Sequence, residues 1–272
     1  MKSKRRMFLL VSAFSVPVTL GSGAFAATDP YAYSPQDVLN GDSAVVASAN
    51  YGKGIIFGDI DTGIAPSIWF NPGYNQQGLE NIDTTGGNCL GRTCKVVNPI
   101  KSPTDKNSHG TFTASEIVGG APAYGYNSMA PAGTVMSVQV LNAQGSGTST
   151  AVANGIKFAV DHGAMVLNLS LGPSGSASQQ AAFYQSLASA INYAASKNVY
   201  VVFAAGNSSQ AFSNGATITG FTNAAIQHML IMGSTTVGNG VDPTTTHLSS
   251  FSDSAGSGKF LSTTGQSYSI AD

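Results

Sequence analysis

Charge is what this chain has least of. Twelve basic and thirteen acidic side chains make up 9% of its 272 residues, against about a quarter in an ordinary soluble domain. No cluster of Lys and Arg follows the first few residues. Without a basic stripe to neutralise phosphates, a nucleic-acid partner is not expected. Cysteine is equally scarce: Cys89 and Cys94 are the only two, which excludes both a multi-bridge disulfide framework and a four-ligand zinc site. Beyond the N-terminal leader no run of about 20 apolar residues occurs, so no later segment reads as a membrane-spanning helix.

What is present begins with a leader. Lys2, Lys4, Arg5 and Arg6 precede a mostly apolar stretch from Met7 to Leu20, and Ala24-Phe25-Ala26 places small residues where a signal peptidase reads. Residues 1–26 are therefore expected to be an export signal cleaved after Ala26. Ser12, Ser15, Pro17 and the small residues from Gly21 argue against a permanent anchor. Cleavage leaves eight basic against thirteen acidic residues, a net charge of −5. An oxidising compartment makes Cys89 and Cys94 a local disulfide, expected to staple a surface insertion.

Residues 27–50 are rich in Ala, Ser and Asp and are expected to run into the domain as a short helix. From residue 51 to 272 the pattern is that of one α/β domain. Gly54–Ile60, Val135–Leu141, Ala164–Leu169, Val199–Ala205 and Met229–Ser234 are short apolar runs bounded by turn residues, as buried parallel strands are. Between them, helices are expected over Gly110–Val118, Ala151–His162 and Ala177–Lys197, while the polar stretch 65–108 reads as a long loop region. Alternating strands and helices imply a mostly parallel sheet with helices on both faces. In such a sheet, reactive groups gather beyond the carboxyl ends of the strands.

Chemistry stands at those ends. Asp61-Thr62-Gly63 closes the first strand, Ser170-Leu171-Gly172 follows the third, and Gly206-Asn207 follows the fourth. Asn107-Ser108-His109-Gly110-Thr111 opens a helix. A His with an Asp in reach can act as a general base, and an Asn amide can donate to a developing oxyanion. Singly, each motif is weak: Ser108 could simply cap a helix around an incidental His109. Asp59 and Asp61 also share one strand face. Such an Asp-x-Asp pair binds metal in sugar transferases, but no Gly-rich nucleotide motif accompanies it here.

Taken in order, GDIDTGI, NSHGT, VLNLSLG and VVFAAGNSS resemble the subtilisin family of serine proteases, over a span from about Lys53 to Ser269. The resemblance implies a subtilisin-like α/β fold and peptide-bond hydrolysis through an Asp-His-Ser triad, with protein or peptide substrates. It implies Asp61 as orienting carboxylate, His109 as base and Asn207 as side-chain oxyanion donor. Ser170, Leu171, Gly172 and Gly206 would bind the extended substrate backbone. A Gly-Thr-Ser triplet ends at Ser149, but the family's nucleophile follows the oxyanion Asn in the chain, and Thr150-Ala151-Val152 lacks the Ala and Pro that should come next. Ser149 or Thr150 is expected instead to cap the helix at 151–162. Tyr268 to Asp272 resembles the tract just before the family's nucleophile, so the catalytic Ser is expected beyond Asp272, in a C-terminally truncated fragment.

Two departures from the family pattern matter. Phe112 replaces the second His of the usual HGTH, and the family's calcium loop is not recognisable in GGAPAYGYNS. Accordingly no cofactor and no metal site are assigned, and calcium is left open without a recognisable site. A leader, no room for an inhibitory prodomain, one Cys pair and few charges suit the autotransporter branch, where a C-terminal β-barrel translocator would follow and the protease would be extracellular or at the cell surface. The competing expectation is a non-catalytic exported passenger or adhesin on the same scaffold.

Overall fold

A computed structural model describes residues 50–67, 70, 81–121, 126–173, 176–209, 211, 215–236, 247–250, 252–254 and 258–269. The expected leader at 1–26, and the expected helix over 27–50 apart from Asn50, lie outside the described residues. So does the end of the chain from residue 270.

Fourteen short strands and four α-helices are described. Strand β1 (Ile56–Asp61) is central. It is followed by β2 (Gly86–Asn88) and β3 (Lys95–Val97), then helix α1 (His109–Val118). The small pair β4 (Gly120–Ala121) and β5 (Tyr126–Asn127) precedes β6 (Thr134–Gln139). Helix α2 (Ser149–Asp161), β7 (Val166–Leu169), α3 (Ala177–Ser196) and β8 (Tyr200–Ala204) come next. Then follow β9 (Thr217–Phe221), α4 (Asn223–Gln227), β10 (Met229–Met232), β11 (Thr235–Thr236) and β12 (His247–Leu248). Strand β13 (Lys259–Ser262) pairs with β9 on one side and with β14 (Ser267–Ser269) on the other in a separate three-stranded sheet.

The main sheet has the order β10-β8-β7-β1-β6-β2-β3. All its pairings are parallel except β2 with β3. The two crossovers from β1 to β6 and from β6 to β7 leave in opposite directions from the centre, so the chain reverses its winding beside β1. A crevice outside the carboxyl ends of the strands is the usual consequence.

Alternation along the strands sorts the two faces. Phe57 packs with Ala114, Ile117 and Val118 of α1 and with Val135 and Ile64. Ile60, one pleat out of phase, packs on the other face with Val138, Val140, Val152 and Ile156, and this larger core continues through Tyr184, Leu187, Ile191 and Phe203 of α3 and β8. A pleated strand puts successive side chains on opposite sides, so helices cover both faces as expected. Phe221 and Phe260 meet edge-to-face at 5.2 Å and join the small sheet to this core. Among the described residues no helix is long and apolar enough to cross a membrane.

Three local expectations are corrected. The polar stretch 65–108 is not loop throughout: it contains the hairpin β2–β3. Cys89 and Cys94 are bonded across the turn of that hairpin. They do not staple a surface insertion, because Cys89 is fully buried in the main core and β2 pairs directly with β6. Finally, the helix at 149–161 is capped by neither Ser149 nor Thr150. The Thr148 hydroxyl accepts from the Ala151 amide at 3.1 Å, and Thr148 holds the extended backbone a cap requires (φ −112°, ψ 152°).

The cap assignment yields a stability prediction. Thr148→Ala should lower the unfolding free energy by about 1 kcal/mol, and Ser149→Ala should change it by no more than about 0.5 kcal/mol. Urea unfolding of the two variants decides it, and a larger loss for Ser149→Ala would reverse the assignment.

Candidate active site

The site is built on the last residue of β1. Asp61 is fully buried at the carboxyl end of the central strand. His109 opens α1, and its Nδ1 lies 2.8 Å and 2.9 Å from the two carboxylate oxygens of Asp61. The imidazole is partly exposed, at 26% of its side-chain surface. A carboxylate on Nδ1 fixes the tautomer with the proton on that nitrogen and leaves Nε2 to accept another. The Asp61 hydrogen bond, against a smaller opposing effect of burial, raises the His109 pKa above its ordinary 6.5. The charges of Asp61 and Asp105 add to the rise.

Asp105 brings the two halves together. Its Oδ1 accepts from the Thr62 hydroxyl and from the amides of Asn107 and Ser108, each at 2.9 Å. Its Oδ2 accepts from the amide and hydroxyl of Thr111. One carboxylate thus serves the turn after Asp61 and the first turn of the His109 helix. It supplies the N-terminal capping that Ser108 does not: Ser108 sits in left-handed backbone (φ 80°) and makes no side-chain cap. Burial works to raise the Asp105 pKa, but the hydrogen bonds from Thr111, Asn107 and Ser108 outweigh it and hold the carboxyl below its usual range. The contact is close: Gly110 donates its amide to the Thr62 hydroxyl at 2.9 Å, and a Cβ on Gly110 would collide with the Gly63 carbonyl. Asn107 extends the frame by donating to the Ala143 carbonyl at 2.9 Å.

The remaining expected residues leave the same end of the sheet. Ser170, Leu171 and Gly172 follow β7, beside β1; Ser170 is buried, Leu171 half-buried and Gly172 exposed. The Asn168 side chain donates to the Ser170 hydroxyl at 3.1 Å. Gly206 and Asn207 follow β8, the next strand over, and Asn207 is exposed. No described hydrogen bond joins Asn207 to the Asp61–His109 pair.

Asp253, almost fully buried, seats the Asn207 loop. It accepts from the Ser208 amide at 2.9 Å and from Gln180 Nε2 at 3.0 Å, and its own amide donates to the Gly206 carbonyl at 3.0 Å. Gly206 has φ 121°, and a Cβ there would run into the Asp253 carboxylate. Both the backbone angle and the close approach require glycine.

Comparison with known proteins places this arrangement. Residues 52–265 match the model of the subtilase family. The chain belongs to the subtilase family. Thermitase of Thermoactinomyces vulgaris is 34% identical to it over 199 residues, which is 70% of this chain and 61% of thermitase. Subtilisin DY of Bacillus licheniformis is 33% identical over 165 residues, 60% of this chain and 51% of that protein. Among solved structures, sphericase superposes with a TM-score of 0.53 at 27% identity, covering 75% of this chain and 60% of that one. The subtilase chain thus spans between about half and three fifths of the length of these relatives.

Asp105 and Asp253 were not singled out from the sequence. Asp105 had a usable signal, a carboxylate a few residues before a helix start. Asp253 had none, since its role depends on a loop 45 residues earlier in the chain. No group of three or more His, Cys, Asp or Glu side chains able to hold a metal occurs among the described residues, and Asp59 is engaged by Thr113 and Asn168.

The geometry makes His109 a titration marker that needs no catalysis to read. Its folded pKa lies above 6.5, so its ion pair stabilises the fold fully below that pH and loses the contribution as pH rises through the folded value. Any step that uses neutral His109 gains over the same window. In an NMR titration Asp61→Asn should lower the His109 midpoint, and an unchanged midpoint would show that the contact does not form.

Proposed function

We propose that the protein is an exported serine endopeptidase that hydrolyses peptide bonds in protein substrates. The observation that carries this reading is the contact of His109 Nδ1 with both oxygens of buried Asp61, at the carboxyl end of the central strand of a subtilase fold. In this reading a serine hydroxyl attacks the scissile carbonyl as His109 Nε2 takes its proton, forming the C–O bond of a tetrahedral intermediate. His109 then returns the proton to the amine as the C–N bond breaks, and water repeats the sequence on the acyl-enzyme. Asp61 keeps the proton on Nδ1 and offsets the charge of the imidazolium. Asn207 and a backbone N–H hold the oxyanion. The segment Ser170–Gly172 takes the extended substrate as an added strand.

The nucleophile we assign to a serine outside these 272 residues, following Asn207 in the chain. Ser149 is a poor alternative: it belongs to the first turn of α2, and it precedes Asn207. The leader at 1–26 supports export, and the acidic, charge-poor mature chain with its single disulfide is suited to an extracellular or cell-surface location. The same features support a passenger of the autotransporter type with a β-barrel translocator following. We assign no cofactor to the reaction.

Labelling the full-length protein with a fluorophosphonate and mapping the modified peptide tests the assignment. The label should fall on a serine C-terminal to Asn207. Asn207→Ala should lower kcat by about 10²–10³-fold with KM nearly unchanged, the size known for the corresponding amide in a subtilisin. A label on Ser149 would overturn the nucleophile assignment. No label and no turnover would favour a non-catalytic passenger on the same scaffold.

A further inference from the structure

We propose that Asp59 is a positioning residue of this site: its buried carboxyl group joins the strand that carries Asp61, the helix that begins at His109 and the strand that leads into Ser170. The proposal rests on the peptidase reading for its kinetic consequences, and on geometry for the rest.

Asp59 lies two residues before Asp61, on the same face of β1, and is 1% exposed. Below it on that face stands Phe57, whose neighbours in register are Val135 and Val166, all apolar. At Asp59 the layer turns polar: its register partners are Ser137 on β6 and Asn168 on β7. Asn168 Nδ2 donates to Asp59 Oδ1 at 2.8 Å and also to the Ser170 hydroxyl at 3.1 Å. From the other side the Thr113 hydroxyl lies 3.2 Å from both Asp59 oxygens and 3.1 Å from the Gly110 carbonyl. Thr113 is one helical turn beyond His109. A single carboxyl group therefore reaches the base through α1 and the substrate-binding segment through β7.

The charge state follows from the surroundings. The ionisable groups facing Asp59 are Asp61 from its own strand and His109 from α1, and His109 is already paired with Asp61. Ser137, Asn168 and Thr113 are neutral. Burial, then the Asp61 charge, push the Asp59 pKa well above the carboxylate range, and Asn168, His109 and Thr113 only partly oppose this. As a neutral acid Asp59 can donate to the Thr113 hydroxyl, which donates onward to Gly110, while the other oxygen accepts from Asn168. The protons of Asp59, of the Thr113 hydroxyl and of the Asn168 amide then each have an acceptor. In that state the site keeps one carboxylate, Asp61, next to His109, and a second negative charge appears only as pH rises through the raised Asp59 pKa.

Two variants separate this role from mere core filling. Asp59→Asn keeps the shape and hydrogen bonds of the neutral acid, so the full-length protein should keep kcat and KM within about 3-fold of wild type. Asp59→Ala releases both Thr113 and Asn168. It should lower kcat/KM by roughly 10–100-fold, the scale of a small misplacement of catalytic groups, through both kcat and KM. Wild type should lose activity on an alkaline limb that Asp59→Asn lacks. Independently of any turnover, infrared spectroscopy of the wild type at neutral pH should show a protonated-carboxyl band that disappears in Asp59→Asn. If the protein proves inactive, the peptidase reading fails while the infrared band still decides the state of Asp59. An absent band, or Asp59→Ala kinetics equal to wild type, would overturn the proposal.

Discussion

Everything at this site depends on keeping a carboxylate charged inside the protein. Asp61 is fully buried, and a buried charge is costly unless it is paired and hydrogen-bonded. Its compensation comes from His109 on one side and from the Thr62 amide at 2.6 Å on the other. The His109 contact requires the loop 104–108 to deliver the start of α1 to the end of β1. That explains why Asp105 gathers amides and hydroxyls from both pieces, and why Gly63 and Gly110 touch backbone to backbone. The dyad and the loop geometry are thus one structural problem with one solution.

The low charge count acquires a meaning in this light. Among the described residues, an ion pair joins His109 to Asp61. The other buried carboxyl groups, Asp59 and Asp253, are hydrogen-bonded by amides and hydroxyls. A buried carboxyl group with neutral partners holds its neighbours in place without attracting the base away from Asp61. The same device appears on both sides of the candidate site, under the His109 helix and under the Asn207 loop. Hydrogen-bonded carboxyl groups brace the carboxyl edge of this sheet.

Much of the fold was legible because its signals are local. The strands at 56–61, 134–139, 166–169, 200–204 and 229–232 are short apolar runs with turn residues at their ends, and each was expected within a residue or two. The hairpin at 86–97 was not, because two three-residue strands, Gly-Gly-Asn and Lys-Val-Val, are too short to show a period. It exists because β6 offers an edge to β2 and the disulfide closes the turn. The helix cap at Thr148 was missed by one residue, the usual scale of error where neighbouring Thr and Ser compete for the same role.

The sequence by itself determined which residue types stand at the ends of which strands. Asp61, Ser170 and Asn207 could be named because each follows an apolar run, and His109 because it opens a helix after a polar loop; their order is a property of the chain. Tertiary structure alone decided what holds them. Asp105, Asp59 and Asp253 act across separations of 43, 109 and 73 residues, on Thr62, Asn168 and Gln180. A carboxyl group becomes a brace only when folding buries it next to donors. Burial and proximity are set by how strands register and helices pack, and no local pattern of residues records them.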